Sequence, residues 1–227
     1  MNDNNFGDNM TTIYLIRHSV RIPSSRVEDI HSSQDKTTIS EKICLSVEGE
    51  ERARILCNKS IFDDVSAIYT SNCVRTMQTA KYLLERLDLT AHIDERLDER
   101  RTGKPNADIY PDWFERQYLD ENFKTEGGES QKDVQKRFST VIDEILNTYP
   151  NQTIGVFAHG LAITFYLLKY CKLEEIHDKQ LKYSFNGNVI FDKCINAPEV
   201  FKLDFDGNTL INVQVLEFDD LPYRHGV

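Results

Sequence analysis

Thr12-Ile13-Tyr14-Leu15-Ile16 is a short apolar run that stops abruptly at Arg17-His18, and Thr153-Ile154-Gly155-Val156-Phe157 repeats the pattern before Ala158-His159-Gly160. Runs of this kind suit strands buried on both faces of a parallel sheet. In such a sheet both strands end at one rim, and open α/β sheets hold their ligands at the carboxyl rim. His18 and His159 are therefore expected to emerge together at a site.

The segments around these strands complete an alternating pattern. Ser46 is a plausible cap for a helix to about Lys59, although Gly49 weakens its first turn. A strand follows over Val65 to Tyr69. Val74, Met77, Ala80, Leu83, Leu84 and Leu87 then recur at helical spacing after Thr70-Ser71-Asn72, and a third strand covers Ala91 to Ile93. Val134, Phe138, Val141, Ile142, Ile145 and Leu146 form the apolar stripe of another helix, which ends at Pro150-Asn151. A largely apolar helix runs from Gly160 to about Cys171. Val200 to Phe205 and Leu210 to Phe218 flank the turn Asp206-Gly207-Asn208, a hairpin signal. The order predicts an α/β fold, a three-layer sandwich with a mostly parallel central sheet and helices on both faces.

The 227 residues suffice for one domain, 1–227, with a sizeable core. Residues 1–11 are expected to be disordered, Arg21 to Ile43 to form a long loop, and 100–126 to make a partly helical cover over the site. The formal charge of −10 repels nucleic acid and anionic lipid, and no Lys/Arg cluster offsets it. Five cysteines without a CxxC pair argue against a disulfide framework and against a thiolate zinc site. Met1 to Met10 has no secretory signal pattern, and the longest apolar stretch, Leu161 to Leu168, is too short to span a bilayer. The expectation is a cytoplasmic protein with no metal, no cofactor, no nucleic-acid partner and no membrane partner. The exposed edge of the tail hairpin could pair with a second copy in a homodimer.

Leu15-Ile16-Arg17-His18, Leu45-Ser46 with Gly49, Ser71 to Ala80, Arg96-Leu97-Asp98-Glu99, Gly127-Gly128-Glu129-Ser130 and Ala158-His159-Gly160 occur in an order that resembles the histidine phosphatase superfamily, phosphoglycerate mutase-like branch. The resemblance covers about residues 12 to 170. It implies a phosphohistidine intermediate on His18, formed from a small phosphorylated substrate. It also implies Glu99 as the proton donor to the leaving alkoxide and then the base for water, with Asp98 as first substitute. Gly127-Gly128-Glu129-Ser130 would be a substrate loop contacting through Ser130, or simply a turn and a helix cap.

The residue chemistry agrees. A phosphate dianion needs fork-shaped cationic donors, and Arg17 and Arg75 provide them. A protonated His159 would add another charge-assisted donor. His18 must be neutral, because imidazolium has no lone pair to offer phosphorus.

Three departures qualify the resemblance. Ser19 stands where the family usually has Gly. Arg21-Ile22-Pro23 resembles the acid-phosphatase branch, which makes Arg21 a further phosphate ligand, yet Gly160 stands where that branch has Asp. The span from Glu99 to Gly127 lacks the longer Arg-rich insertion of mutases, which favours hydrolysis over isomerisation. A mutase-type phosphotransferase and a phosphate-binding protein without turnover are the competing readings. A metal hydrolase is weaker, because His18 and His159 lack a third ligand at suggestive spacing.

Overall fold

In the computed structural model the described residues are 10–26, 40–104, 111–177 and 179–226. Nine strands and five α-helices organise them. The main sheet uses β1 (Met10–Arg17), β2 (Val65–Thr70), β3 (Ala91–Ile93), β4 (Thr153–Ala158), β8 (Val200–Asp206) and β9 (Thr209–Leu216). Its order is β3-β2-β4-β1-β8-β9. The first four run parallel, whereas β8 lies antiparallel to β1 and β9 antiparallel to β8.

Burial on both faces explains the unbroken apolar runs. Ile13 and Leu15 of β1 face a core shared with Phe138 and Ile142 of α4 (Gln131–Thr148) and Ile163 of α5 (Gly160–Leu167). Tyr14 and Ile16 face the opposite core, with Leu56 of α1 (Val47–Cys57) and Leu83 of α2 (Val74–Leu87). A two-residue side-chain period therefore feeds both layers. Each such buried side chain contributes about 1.5–3 kcal/mol relative to exposure. Among the described residues no helix is long and apolar enough to cross a membrane.

The structure corrects several expectations. Of the disordered start, residues 1–9 lie outside the described residues, but Met10 and Thr11 already pair with Asp206 and Phe205. Residues 27–39 of the long loop and 105–110 of the cover also lie outside them. The rest of the cover contains α3 (Trp113–Leu119). Helix α5 ends at Leu167 rather than near Cys171.

A second sheet, β5-β6-β7, was not anticipated; its strands are β5 (Lys172–His177), β6 (Gln180–Phe185) and β7 (Asn188–Lys193). Register shifts near Leu173/Glu175 and Tyr183/Ser184 break its alternation, and charged residues occupy much of β5. One signal was nevertheless available. Asn186-Gly187, with φ of 50° and 81°, makes the kind of turn that Asn-Gly favours between antiparallel strands. Tyr183 and Phe191 stack at 4.8 Å and carry this sheet onto the α4/α5 core.

Candidate active site

The β1–β4 register positions the two histidines. Arg17 pairs with Ala158, so the next residue of each strand leaves the same rim, and His18 N donates to Ala158 O at 3.0 Å. The rings meet edge to face with centroids 5.2 Å apart. His18 Nδ1 lies 2.7 Å from Ser19 O. A carbonyl can only accept, so Nδ1 carries the hydrogen and Nε2 carries the lone pair. Burial, then the charges of Arg75 and Arg17, hold the pKa of His18 well below the usual imidazole value. The ring is neutral, as a nucleophile must be.

His159 sits fully buried at the start of α5. Arg75, in the first turn of α2, donates from Nη2 to His159 Nδ1 at 3.0 Å. His159 Nε2 therefore carries the hydrogen and donates to Ser71 Oγ at 2.8 Å. Burial, then Arg75 and His18, hold this pKa well below its ordinary value too. Of the two states open to His159 in the sequence, the resting site holds the neutral one. An imidazole that accepts from a guanidinium inside a dry cluster cannot also be a cation at modest cost.

The positive charge comes from arginine. Arg17 Nη1 donates to Ile195 O at 2.8 Å and Asn196 O at 3.0 Å, and Arg75 Nη1 donates to Ser40 O at 2.7 Å. The Nε atoms of both are buried without a partner. Among the described residues no carboxylate lies within 4.0 Å of Arg17, Arg21 or Arg75. Gly160 makes room for this cluster, since a Cβ there would lie 3.2 Å from Arg17 Nε. Arg21 turns back on its own loop, donating to Ser24 Oγ at 2.8 Å. Burial, then repulsion by Arg75 and Arg17, lower its pKa, so it shares their field without touching His18 through any described bond.

Glu99 and Asp98 have different environments. Glu99 Oε1 accepts from Arg100 N at 2.9 Å and from Ala162 N at 3.0 Å; Oε2 lies 3.4 Å from Leu161 N. The carboxyl therefore sits on the first turn of α5, just past His159. Asp98 Oδ1 accepts from Asn72 N at 3.1 Å, and burial pushes its pKa up to about 6. Ser130 is taken up by a capping box: its Oγ accepts from Asp133 N and its N donates to Asp133 Oδ2, both at 3.1 Å. Its hydroxyl oxygen thus caps the helix start as an acceptor.

Sequence reasoning missed Glu129, Arg100 and Arg137. Glu129 Oε1 accepts from Arg137 Nε at 2.8 Å, and Arg100 Nε donates to Glu129 O at 2.8 Å. These bonds tie the cover to α4. The signal was the Glu inside Gly127-Gly128-Glu129-Ser130, read only for its glycines and serine.

One cluster also has metal-ligand character. Cys73, Asp98 and His159 bring a sulfur, a carboxylate oxygen and a ring nitrogen within 4.8 Å of one another. The three come from separate segments, so linear spacing hid them. Burial raises the Cys73 thiol to about 11, and Arg75 already bonds the imidazole. The surrounding positive field opposes a cation there.

The shape is shared by known enzymes. A mycobacterial glucosyl-3-phosphoglycerate phosphatase superposes with a TM-score of 0.63 at 19% identity, covering 90% of this chain and 96% of that one. A phosphoglycerate mutase from Bacillus anthracis gives a TM-score of 0.60 at 18% identity, covering 92% and 93%. In sequence, phosphoserine phosphatase 1 of Hydrogenobacter thermophilus is 28% identical over 138 residues, 57% of this chain and 64% of that relative. The match thus spans less than two thirds of the curated relative. Over residues 13–190 the chain matches the histidine phosphatase superfamily (branch 1), and it belongs to that family.

Proposed function

We propose that the chain is a phosphoric monoester hydrolase that passes the phosphoryl group through His18. One observation carries the reading. A neutral, tautomerically fixed imidazole stands beside the guanidinium groups of Arg17 and Arg75, which have no carboxylate within 4.0 Å among the described residues and whose Nε–H donors are buried unpaired. Buried cations without counter-ions are costly, and a phosphate dianion between Arg17 and Arg75 would relieve both.

In the first step His18 Nε2 attacks phosphorus, the bond from phosphorus to the ester oxygen breaks, and Glu99 gives that oxygen a proton. Oε2 is the better proton carrier, because Oε1 already accepts two backbone hydrogens. In the second step water attacks phosphorus, Glu99 takes its proton, and the nitrogen–phosphorus bond breaks to restore His18. The sum is ester plus water giving alcohol plus phosphate. Arg17 and Arg75 stabilise charge on the transferring oxygens throughout.

Hydrolysis is favoured over isomerisation by the charge pairing around the site. Arg96 is held by Asp94 and Glu144, while Arg137 and Arg101 are held by Glu129. Arg96, between two carboxylates, and Arg137, at 2.8 Å from Glu129, are already engaged and make poor clamps for a second substrate anion. The chain would act as one cytoplasmic domain on small phosphorylated molecules. Pairing through edge strand β9 would give a homodimer, which sedimentation would reveal.

The test is mass spectrometry of enzyme quenched during turnover of an aryl phosphate. The expected result is an acid-labile phosphoryl group on His18, with hydrolysis lost in His18→Ala. Turnover that persists in that variant would overturn the reading. Phosphate moving between hydroxyls without release would instead indicate a mutase.

A further inference from the structure

Two cavities border Glu99 and differ in character. The larger, about 560 Å³, is lined by Arg75, Asp98 and the paired arginines described above. The second, about 460 Å³, has Arg17 and Glu99 among its walls. Its other walls include Phe114, Tyr118, Leu161, Leu181 and Ile195. They arrive from three elements and a loop: α3 supplies the two rings, α5 supplies Leu161, β6 supplies Leu181, and the loop after β7 supplies Ile195. Thr164 adds a hydroxyl whose hydrogen is donated to Gly160 O at 2.8 Å. Lys179, exposed between β5 and β6, adds a cation.

We infer that this second cavity receives the alcohol part of the substrate, and that the preferred substrates are phosphomonoesters of apolar alcohols with an aryl or alkyl body. The inference rests on the reading of His18, Arg17 and Glu99 given above. Glu99 must reach the ester oxygen and Arg17 the phosphoryl oxygens, so a cavity that contains both adjoins the scissile bond. A cavity of this size takes a small organic group, and its apolar walls gain only when apolar atoms replace water there. A serine or glycerate body would bring an ammonium or hydroxyl against Phe114, Leu161 and Leu181, where it would lose hydration, and would leave its carboxylate to the exposed Lys179. The activity carried in the name of the 28%-identical relative is therefore not the one this cavity favours.

The test compares 2-phenylethyl phosphate with O-phosphoserine and glycerol 3-phosphate, all esters of alkyl alcohols, so that a good leaving group does not imitate recognition. The expected kcat/KM for 2-phenylethyl phosphate is roughly tenfold or more above the other two, in line with burial of one phenyl group. Leu161→Asn should narrow the ratio of the 2-phenylethyl phosphate value to the O-phosphoserine value about fivefold, whatever it does to the two values separately. Equal or faster turnover of O-phosphoserine, with phosphohistidine still forming on His18, would overturn the inference and leave the phosphatase reading intact.

Binding of non-hydrolysable phosphonates decides the cavity independently of turnover. 2-Phenylethylphosphonate should bind at least tenfold tighter than 2-amino-3-phosphonopropionate, by calorimetry on the full chain. The reverse order overturns the inference even in an inactive protein. Failure of every ester to react, with no label on His18, would instead strike the catalytic reading.

Discussion

Arg75 donates from Nη2 to Nδ1 of His159 at 3.0 Å, and this bond fixes the protonation of the whole cluster. With Nδ1 accepting, Nε2 donates to Ser71 Oγ, which also meets Thr76 Oγ1 at 2.9 Å. The start of α2 is thereby tied to the end of β4 through one imidazole. Because both rings are neutral, each guanidinium keeps its full charge for an incoming anion.

Neither ring should therefore titrate in the ordinary histidine range. Both folded-state pKa values are held well below 6.5, by burial first and then by neighbouring charge, so both rings stay unprotonated through the pH range in which an ordinary imidazole takes up its proton. The unfolded chain, with ordinary imidazoles, takes up those protons below about 6.5. It then binds more protons than the folded state, so stability is present above that pH and is lost as pH falls through and below it. Ring proton or nitrogen chemical shifts across pH 5.5–8 check this. A midpoint near 6.5 at His159 would contradict the Arg75 bond.

Glu99→Gln should separate the two chemical steps. Gln keeps an acceptor for Ala162 N but can neither protonate a leaving group nor deprotonate water. With an alkyl ester, kcat should fall by about 10²–10³. With p-nitrophenyl phosphate, whose leaving group needs little help, the first step should survive and the second stall. Stopped-flow absorbance should then show a stoichiometric burst of nitrophenol and accumulated phosphohistidine. Full steady-state turnover in the variant would remove Glu99 from its role and leave Asp98 as the candidate.

Asp98 gives a stability prediction of the opposite sign from the histidines. Burial raises its pKa from the usual 3.8 to about 6 in the folded state. Between those values the folded chain holds a proton that the unfolded chain has released, so stability declines as pH rises towards 6 and stays lower above it. Asp98→Asn removes that cost and retains an oxygen for Asn72 N. The variant should gain in denaturation midpoint over the parent at pH 7.5 and gain little at pH 4. An equal difference at both values would show that Asp98 is not strained by ionisation.

The parts of the fold legible in the sequence are those where one period dominates. β1 and β4 are buried on both faces, α2 and α4 bury one clear stripe, and Asp206-Gly207-Asn208 marks the β8–β9 turn. The β5–β7 sheet was harder because bulges interrupt its alternation. In the site, order along the chain pointed to His18, His159, Arg17 and Arg75, since strand ends and a helix start are local features. Protonation was not legible. Whether His159 is a donor or an acceptor depends on Arg75 Nη2, a contact between residues 84 positions apart. The convergence of Cys73, Asp98 and His159 was hidden for the same reason. Ser130 shows a local feature that was legible, a motif residue whose hydroxyl oxygen caps the helix after it.

Gly49 looked like a flaw in a helix start, and the structure turns it into a test of how the nucleophile is held. Its missing side chain lets α1 rest on the backbone after His18: a Cβ there would lie 1.9 Å from Val20 O and 2.9 Å from Val20 C. Val20 O also accepts from Ser46 N at 3.0 Å and Ser46 Oγ at 3.2 Å, and Ser46 Oγ in turn caps Gly49 N at 3.0 Å. Gly49→Ala would gain about 1 kcal/mol of helix propensity. The clash is with main chain, which cannot rotate aside, and overpacking of this kind costs about 1–3 kcal/mol or more. The net effect should be a loss of stability in urea denaturation, whereas Val47→Ala, at a position 90% exposed in the same turn, should be nearly neutral. Activity per folded molecule should fall as well, because a shift of Val20 moves the Ser19 carbonyl that orients His18, and misplacement of about 1 Å can cost roughly a hundredfold in rate. A Gly49→Ala protein as stable and as active as the parent would show that α1 does not brace the nucleophile loop.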